Sequence, residues 1–474
     1  MNRNYRLTFA VLAAGVGVFA MLQSLVATVL PAIQHALHTS QANAAWVMTA
    51  HLLSASVFTP ILGRIGDLVG KKHTLVATLA VLAVGSVLAA LAPNVSVLIF
   101  ARVLQGVGGA SFPLAFGIIR DEFPADRISS GISSVSAVIA VGAGIGVIAA
   151  GPLMDALGFR FLFWLPAAVV VVTALIAARY IPESPQRSKG RVNWTGAVLL
   201  SGWLVALMLP LSQAVSWGWG SARVLGLLAA AVVLFTAWIT VEARSASPLI
   251  DLKVMRLPGV WTTNAVALLF GAGQYAVLVF LPAFVQTPST AGYGFGASVT
   301  VTGLLMLPMV VAQFLVGVIS ARITPRVGAK ALLAAGAALL AVSYAMLAAW
   351  HGQQWQVAAA SAVFGLSVGV AYPAMATLIV HNVPAAQTGA ATGMNANIRT
   401  IGGSIGIALT TGLITGSLQP SGLPRAAGYT HGFALLAALT AAATLVSLLI
   451  PKTRSQATVT DTVSVEPVTA PASR

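Results

Sequence analysis

The chain has 474 residues, of which 58% are hydrophobic and only 7% charged, and its mean hydropathy is +0.91. That composition excludes a soluble domain and points to an integral membrane protein. A formal net charge of +15 invites a nucleic-acid partner, but the distribution of that charge argues against one, and the lack of cysteine excludes disulfides and thiolate metal sites.

A helix crosses roughly 30 Å of hydrocarbon with about 20 apolar residues. Fourteen stretches qualify: 7–30, 45–63, 74–92, 95–119, 132–154, 161–181, 194–213, 222–242, 259–285, 297–320, 331–350, 356–380, 391–416 and 432–450. They predict an all-α multi-pass protein. Lys and Arg gather in alternate connections, at Arg64, Lys71 and Lys72, at Arg120 and Arg127, at Arg187, Lys189 and Arg191, and at Arg322, Arg326 and Lys330. The positive-inside rule then puts both termini in the cytoplasm and accounts for the charge without nucleic acid.

In chain order, the opening run from Met1 resembles a signal peptide, but its apolar stretch continues to Pro31 without a small-residue cleavage site, so it reads as a retained first helix. Ser24 and Thr28 share one face of it, with Gln23 adjacent. The second span carries His51. Between spans two and three lies Gly63-Arg64-Ile65-Gly66-Asp67-Leu68-Val69-Gly70-Lys71-Lys72, where one acid among bases can hold one conformation and release another. In span four, Arg102, Gln105, Gly106, Gly109 and Pro113 recur at helical spacing; an arginine this deep must be paired, hydrated or facing a cavity. It reads either as a structural cation bonded to carbonyls or as an element of a transport pathway. Asp155 closes span five.

Spans seven and eight stand between two similar halves, and their lack of internal charge suggests a passive spacer against lipid. The similarity is concrete: Gly109, Pro113, Pro124, Gly142 and Gly146 return at identical spacing as Gly369, Pro373, Pro384, Gly402 and Gly406. Such duplication is how many secondary transporters are built, with substrate at the seam. The predicted organisation is a six-helix bundle over 1–182, linkers and an extra helix pair over 183–258, a second bundle over 259–450, and a disordered cytoplasmic tail over 451–474. Span nine places Asn264 and Tyr275 on one face with Gln274 adjacent, and span thirteen aligns Asn395, Arg399, Gly402 and Gly406. In a wall of aliphatic and aromatic residues these polar groups would suit a large, mostly apolar ligand, or would serve as hydrogen bonds between helices. The second-half counterpart of the charged connection, Arg322 to Lys330, keeps its bases and Gly328 but has Pro325 in place of the acid, so a lock is expected on one side only.

The pattern G-x-x-x-D-x-x-G-[RK]-[RK] from Gly63 to Lys72, and the R-x-x-Q-G of Arg102 to Gly106, resemble signatures of the major facilitator superfamily. From residue 8 to about 450 the chain looks like its fourteen-helix drug:proton antiporter branch. The resemblance implies two bundles rocking about a central site in the cell membrane, exporting amphipathic small molecules in exchange for protons, without enzymatic activity, cofactor or metal, as a monomer. Three positions depart from the branch: no acid precedes Thr28 in the first span, Gly146-Val147 and Pro152 disrupt the usual glycine–proline order of the fifth, and His51 stands where tyrosine is more common. None of the ten acids falls in the middle of a span. That leaves His51, with an unperturbed pKa near 6.5, Asp155 and Asp67 as proton carriers. Two intramembrane arginines with no intramembrane acid favour neutral or anionic substrates over permanent cations. The alternatives are an uptake carrier or uniporter for an anionic or neutral metabolite without proton antiport, and a non-transporting receptor.

Overall fold

The structure, a computed structural model, describes residues 5–39, 41–124, 127–184, 190–416, 419–421 and 423–451. The tail beyond residue 451 lies outside them. With no water in the hydrocarbon layer, apolar runs close their backbone hydrogen bonds internally as helices. The first half comprises α1 (Tyr5–Thr28), the short α2 (Leu30–Ala36), α3 (Gln41–Val69), α4 (Lys71–Ala90), α5 (Val95–Gly106), α6 (Ser111–Glu122), α7 (Ile128–Leu157) and α8 (Phe161–Tyr180). Then come α9 (Trp194–Trp217), α10 (Ala222–Arg244) and the single turn α11 (Leu252–Met255). The second half is α12 (Pro258–Gln286), α13 (Val299–Val327), α14 (Ala329–Ala349), α15 (Gln354–Asn382), α16 (Thr388–Thr415) and α17 (Ala426–Leu448). Counting α5 and α6 as one, 14 segments among the described residues are long and apolar enough to cross a membrane, matching the expectation. Polar residues mark several starts: Asn94, Asn193, Ser221 and Ser298 accept the amides of Val97, Gly196, Val224 and Val301.

Three boundaries differ from the hydropathy reading. The fourth span is interrupted by a 3-10 turn over Val107–Ala110, where two glycines meet Pro113, whose missing N–H and ring break the bond back to Gly109. The first span stops at Thr28, just before Pro31, which has no amide hydrogen to donate. The motif after span two is not a loop: residues up to Val69 are helical, and only Gly70 turns the chain, at φ 133°. Gly328 performs the same turn between α13 and α14 at φ 87°. Side chains rarely adopt such angles, which is why both halves keep glycine there.

The repeated glycines have a common purpose. Gly142 and Gly146 of α7 let the backbone of α1 approach at Gly17 and Met21, while Gly402 and Gly406 of α16 do the same for α12 at Leu268 and Ala272. Each half thereby forms its own buried core, one centred on Leu22, Leu79, Leu98 and Phe163, the other on Phe270, Tyr344, Ala371 and Phe433. Across the seam α3 meets α16 and α7 meets α13, with Gly144 against Val310 and Gly317 against Ala137.

The extra pair is more than a spacer. The outer face of α10 is exposed and apolar at Leu225, Val232 and Val233, as a lipid-facing surface would be. Its partner α9, however, lies over the α3–α16 seam, with Leu200, Trp203 and Leu204 in one cluster with Ile61, Met394 and Ile401. Glu242, buried at the end of α10, accepts from the Ile250 amide at 3.4 Å and from Asn193 Nδ2 at 3.5 Å. Glu242→Ala would leave both donors without this acceptor, at about 1–3 kcal/mol. The expected result is a lower thermal midpoint for the solubilised protein; an unchanged midpoint would show that the pair is anchored elsewhere.

Candidate functional site

The charged motif assembles into a junction between halves. Asp67, fully buried in the last turn of α3, accepts the first-turn amides of α16: Gly389 N–H donates to Oδ1 at 3.2 Å and Ala390 N–H to Oδ2 at 2.9 Å. Those amides have no partner within their helix and form the positive end of its dipole, so a carboxylate is the natural acceptor. Gly63 permits the approach, since a Cβ there would stand 2.5 Å from the Gly389 carbonyl oxygen. Lys71 Nζ, also buried, lies 3.7 Å from Asp67 and 2.7 Å from Asp121. Arg64 lies within electrostatic reach of Asp67, Glu242 and Asp251. Arg120, at the end of α6, donates to Thr388 Oγ1 at 2.7 Å, adding a second tie from the first half to the start of α16. Lys72 contributes through its backbone, which donates to Glu183 Oε1 at 3.3 Å, and Gly70 packs against that same carboxylate. In the second half Pro325 occupies the place of Asp67 inside α13 and has no side chain that could accept an amide.

Arg102 is fully buried within the first half rather than at the seam. Its Nε donates to the Val47 carbonyl at 3.2 Å and Nη1 to Gln105 Oε1 at 2.8 Å, while Gln105 Nε2 donates to Ser86 Oγ at 3.0 Å. Gly106 packs against Ser54 and the His51 carbonyl. The His51 ring is buried, stacked on Phe19 at 5.3 Å between centroids, and lies beside the backbone of Arg102. Arg102, Gly106 and His51 hold α3 against α5, and Gln105 ties α5 to α4. The side chain of Asp155 lies outside the described residues, as does that of Thr28.

Between the halves lies a cavity. Phe19 and Gln23 from α1, Ser56 and Thr59 from α3, and Phe112 from α6 face Tyr275 from α12 and Asn397, Arg399 and Thr400 from α16. Of the polar residues singled out from sequence, Gln23, Tyr275 and Arg399 line it. Gln274 sits behind, its Nε2 donating to the Tyr372 hydroxyl at 2.8 Å, and the Arg399 guanidinium lies 4.1 Å from the centre of the Tyr372 ring. Ser24, Asn264 and Asn395 are turned into helix contacts: Ser24 Oγ donates to the Ala143 carbonyl at 2.7 Å, and Asn395 Nδ2 to Asn264 Oδ1 at 2.8 Å. Sequence reasoning missed Ser56, Asn397 and Tyr372, which sit one to five residues from positions it did mark but carry no motif of their own.

The profile of the family described as Major Facilitator Superfamily matches residues 12–407, with a further match over 265–468. The tetracenomycin C resistance and export protein of Streptomyces glaucescens is 30% identical over 407 residues, covering 85% of this chain and 74% of that protein. The multidrug transporter protein MdtP of Bacillus subtilis is 25% identical, covering 77% and 67%, and the cephamycin export protein CmcT of Amycolatopsis lactamdurans is 29% identical, covering 81% and 80%. The crystal structure of the human organic anion transporter MFSD10 (TETRAN) shares the fold at a TM-score of 0.70 and 14% identity, over 94% of this chain and 99% of that one.

Proposed function

The chain belongs to the major facilitator superfamily, a multi-pass membrane transporter and not an enzyme, and on that premise we propose that it exports amphipathic small molecules by alternating access in exchange for protons. The observation that carries the reading is the bond from Asp67 to the start of α16, which exists only while the two halves are closed at that end. An exporter needs such a state-specific contact, because a gate that closes equally well in every state does no work. The cavity beneath it, apolar with a few convergent polar groups, measures about 40 Å³ in this closed state and would take an amphipathic ligand only once the halves part. Relatives named for export of tetracenomycin C and cephamycin support the direction. The charged connections support placement in the cell membrane with both termini cytoplasmic, and one chain supplying both walls of the cavity supports a monomeric unit.

His51 is the proposed proton carrier, a buried imidazole beside Arg102 and stacked on a cavity-lining ring. Purified protein in liposomes loaded with a pH-sensitive dye tests both parts. Substrate-driven proton movement is expected in the native chain and loss of it, with compound movement retained, in His51→Phe. Compound movement without proton flux in the native chain would favour the uniporter reading.

A further inference from the structure

We propose that the central cavity is an organic-anion site, in which Arg399 holds the acidic group of an amphipathic substrate and Asn397 and Ser56 complete its hydrogen bonds. The inference rests on the export reading and names its substrate class. Arg399 is 7% exposed, and its Nε has no hydrogen-bond partner among the described residues. The face of Tyr372 beneath the guanidinium attracts it but bears no charge, and among the described residues no acid lines the cavity. The Tyr372 side chain, its ring and its hydrogen bond to the guanidinium, leaves the charge of Arg399 without a counter-charge, and an incoming carboxylate or other organic anion supplies it.

Two further groups converge on the same space. Asn397, 1% exposed, has neither carboxamide atom bonded, and Ser56, 3% exposed, has an unbonded hydroxyl. Both line the cavity, from opposite halves. Three nearly buried polar side chains with unused donors facing one space mark a ligand site, since buried polar groups are otherwise satisfied. Phe19 and Phe112 supply the apolar wall for the rest of the molecule, and their own edge-to-face contact, at 5.3 Å between centroids, holds that wall in place. Gly403 makes room for the Tyr275 ring beside them. A quaternary ammonium in this space would meet the fixed charge of Arg399 with no acid to offset it.

The test uses full-length protein in lipid nanodiscs and three fluorescent probes built on one ring system: 9-anthracenecarboxylate, 9-anthracenecarboxamide and 9-anthracenylmethyl-trimethylammonium. The carboxylate is expected to bind about tenfold or more tightly than the amide, and the cation most weakly. Arg399→Gln should erase the carboxylate's advantage while leaving the amide's affinity in place. Arg399→Lys, which keeps the charge but not the planar fork, should retain part of it and covers the case in which the glutamine variant does not fold. Preference for the cation, no binding of any probe, or a carboxylate advantage that survives the loss of Arg399 would overturn the site. The same probes in proteoliposomes separate the two claims. Arg399-dependent binding without movement would sink the export reading and leave the anion site standing, whereas preferential movement of the amide or cation would do the reverse.

Discussion

Asp67→Asn is expected to reduce export by about tenfold or more while leaving the protein folded. The carboxylate makes two charge-assisted bonds to the start of α16, and such bonds are worth about 1.5–3 kcal/mol each. Asparagine can accept one of them, but it brings no charge to the dipole and would turn an amide toward Lys71. The state closed at this end would lose population, and each transport cycle passes through it. The absence of cysteine gives a clean readout. A single cysteine at Ala390, buried in the closed junction, should react slowly with an impermeant maleimide in the native background and faster with Asp67→Asn. Native rates of both labelling and export in the variant would rule out a latch at this position.

Gly402→Val is expected to abolish folded protein. A Cβ at this position overlaps the carbonyl oxygen of Leu268, and backbone cannot yield as a flexible side chain can. Separating α12 from α16 would also move Arg399, whose own carbonyl lies against Gly271. The duplicate position, Gly142 against the Gly17 carbonyl, should behave alike. Gly412, on the same helix with nothing within 4 Å of an added Cβ, is the control, and Gly412→Ala should be neutral or slightly stabilising. Size-exclusion profiles of the three variants decide the matter: a monodisperse Gly402→Val peak at native yield would show that α16 can shift without loss of the fold.

Much of the architecture was legible because lipid permits few solutions. Fourteen apolar runs had to be helices, and identical spacing of glycines and prolines had to mean two similar bundles. Asp67 was legible too, as the lone acid in a basic stretch, although its acceptor role toward Gly389 and Ala390 needed the fold to bring residues more than 300 positions apart together. Helix faces were less informative. Ser24 and Gln23 are neighbours in sequence, yet one bonds to α7 and the other lines the cavity, since a helical wheel says which residues share a face but not which neighbour that face meets. The break at Val107–Ala110 escaped hydropathy, which measures apolarity and is blind to a lost backbone bond. The reach of α3 to Val69 and the start of α16 at Thr388 escaped it for the opposite reason, because helices continue past the apolar core into polar ends.

The one-sided junction also shapes what the molecule does between cycles. Asp67 has a buried helix end to hold, while Pro325, its counterpart on the same side of the membrane, has nothing to offer, so a single carboxylate carries the bias toward the state closed at that side. A bias of about 3 kcal/mol corresponds to roughly a hundred to one in population. On the proposed orientation, an idle transporter therefore waits with its inner side sealed, and substrate or a proton has to supply the energy that opens it. Idle molecules at high abundance would then drain little of the gradient that drives them, and loosening the junction should appear as proton leak in the absence of any substrate.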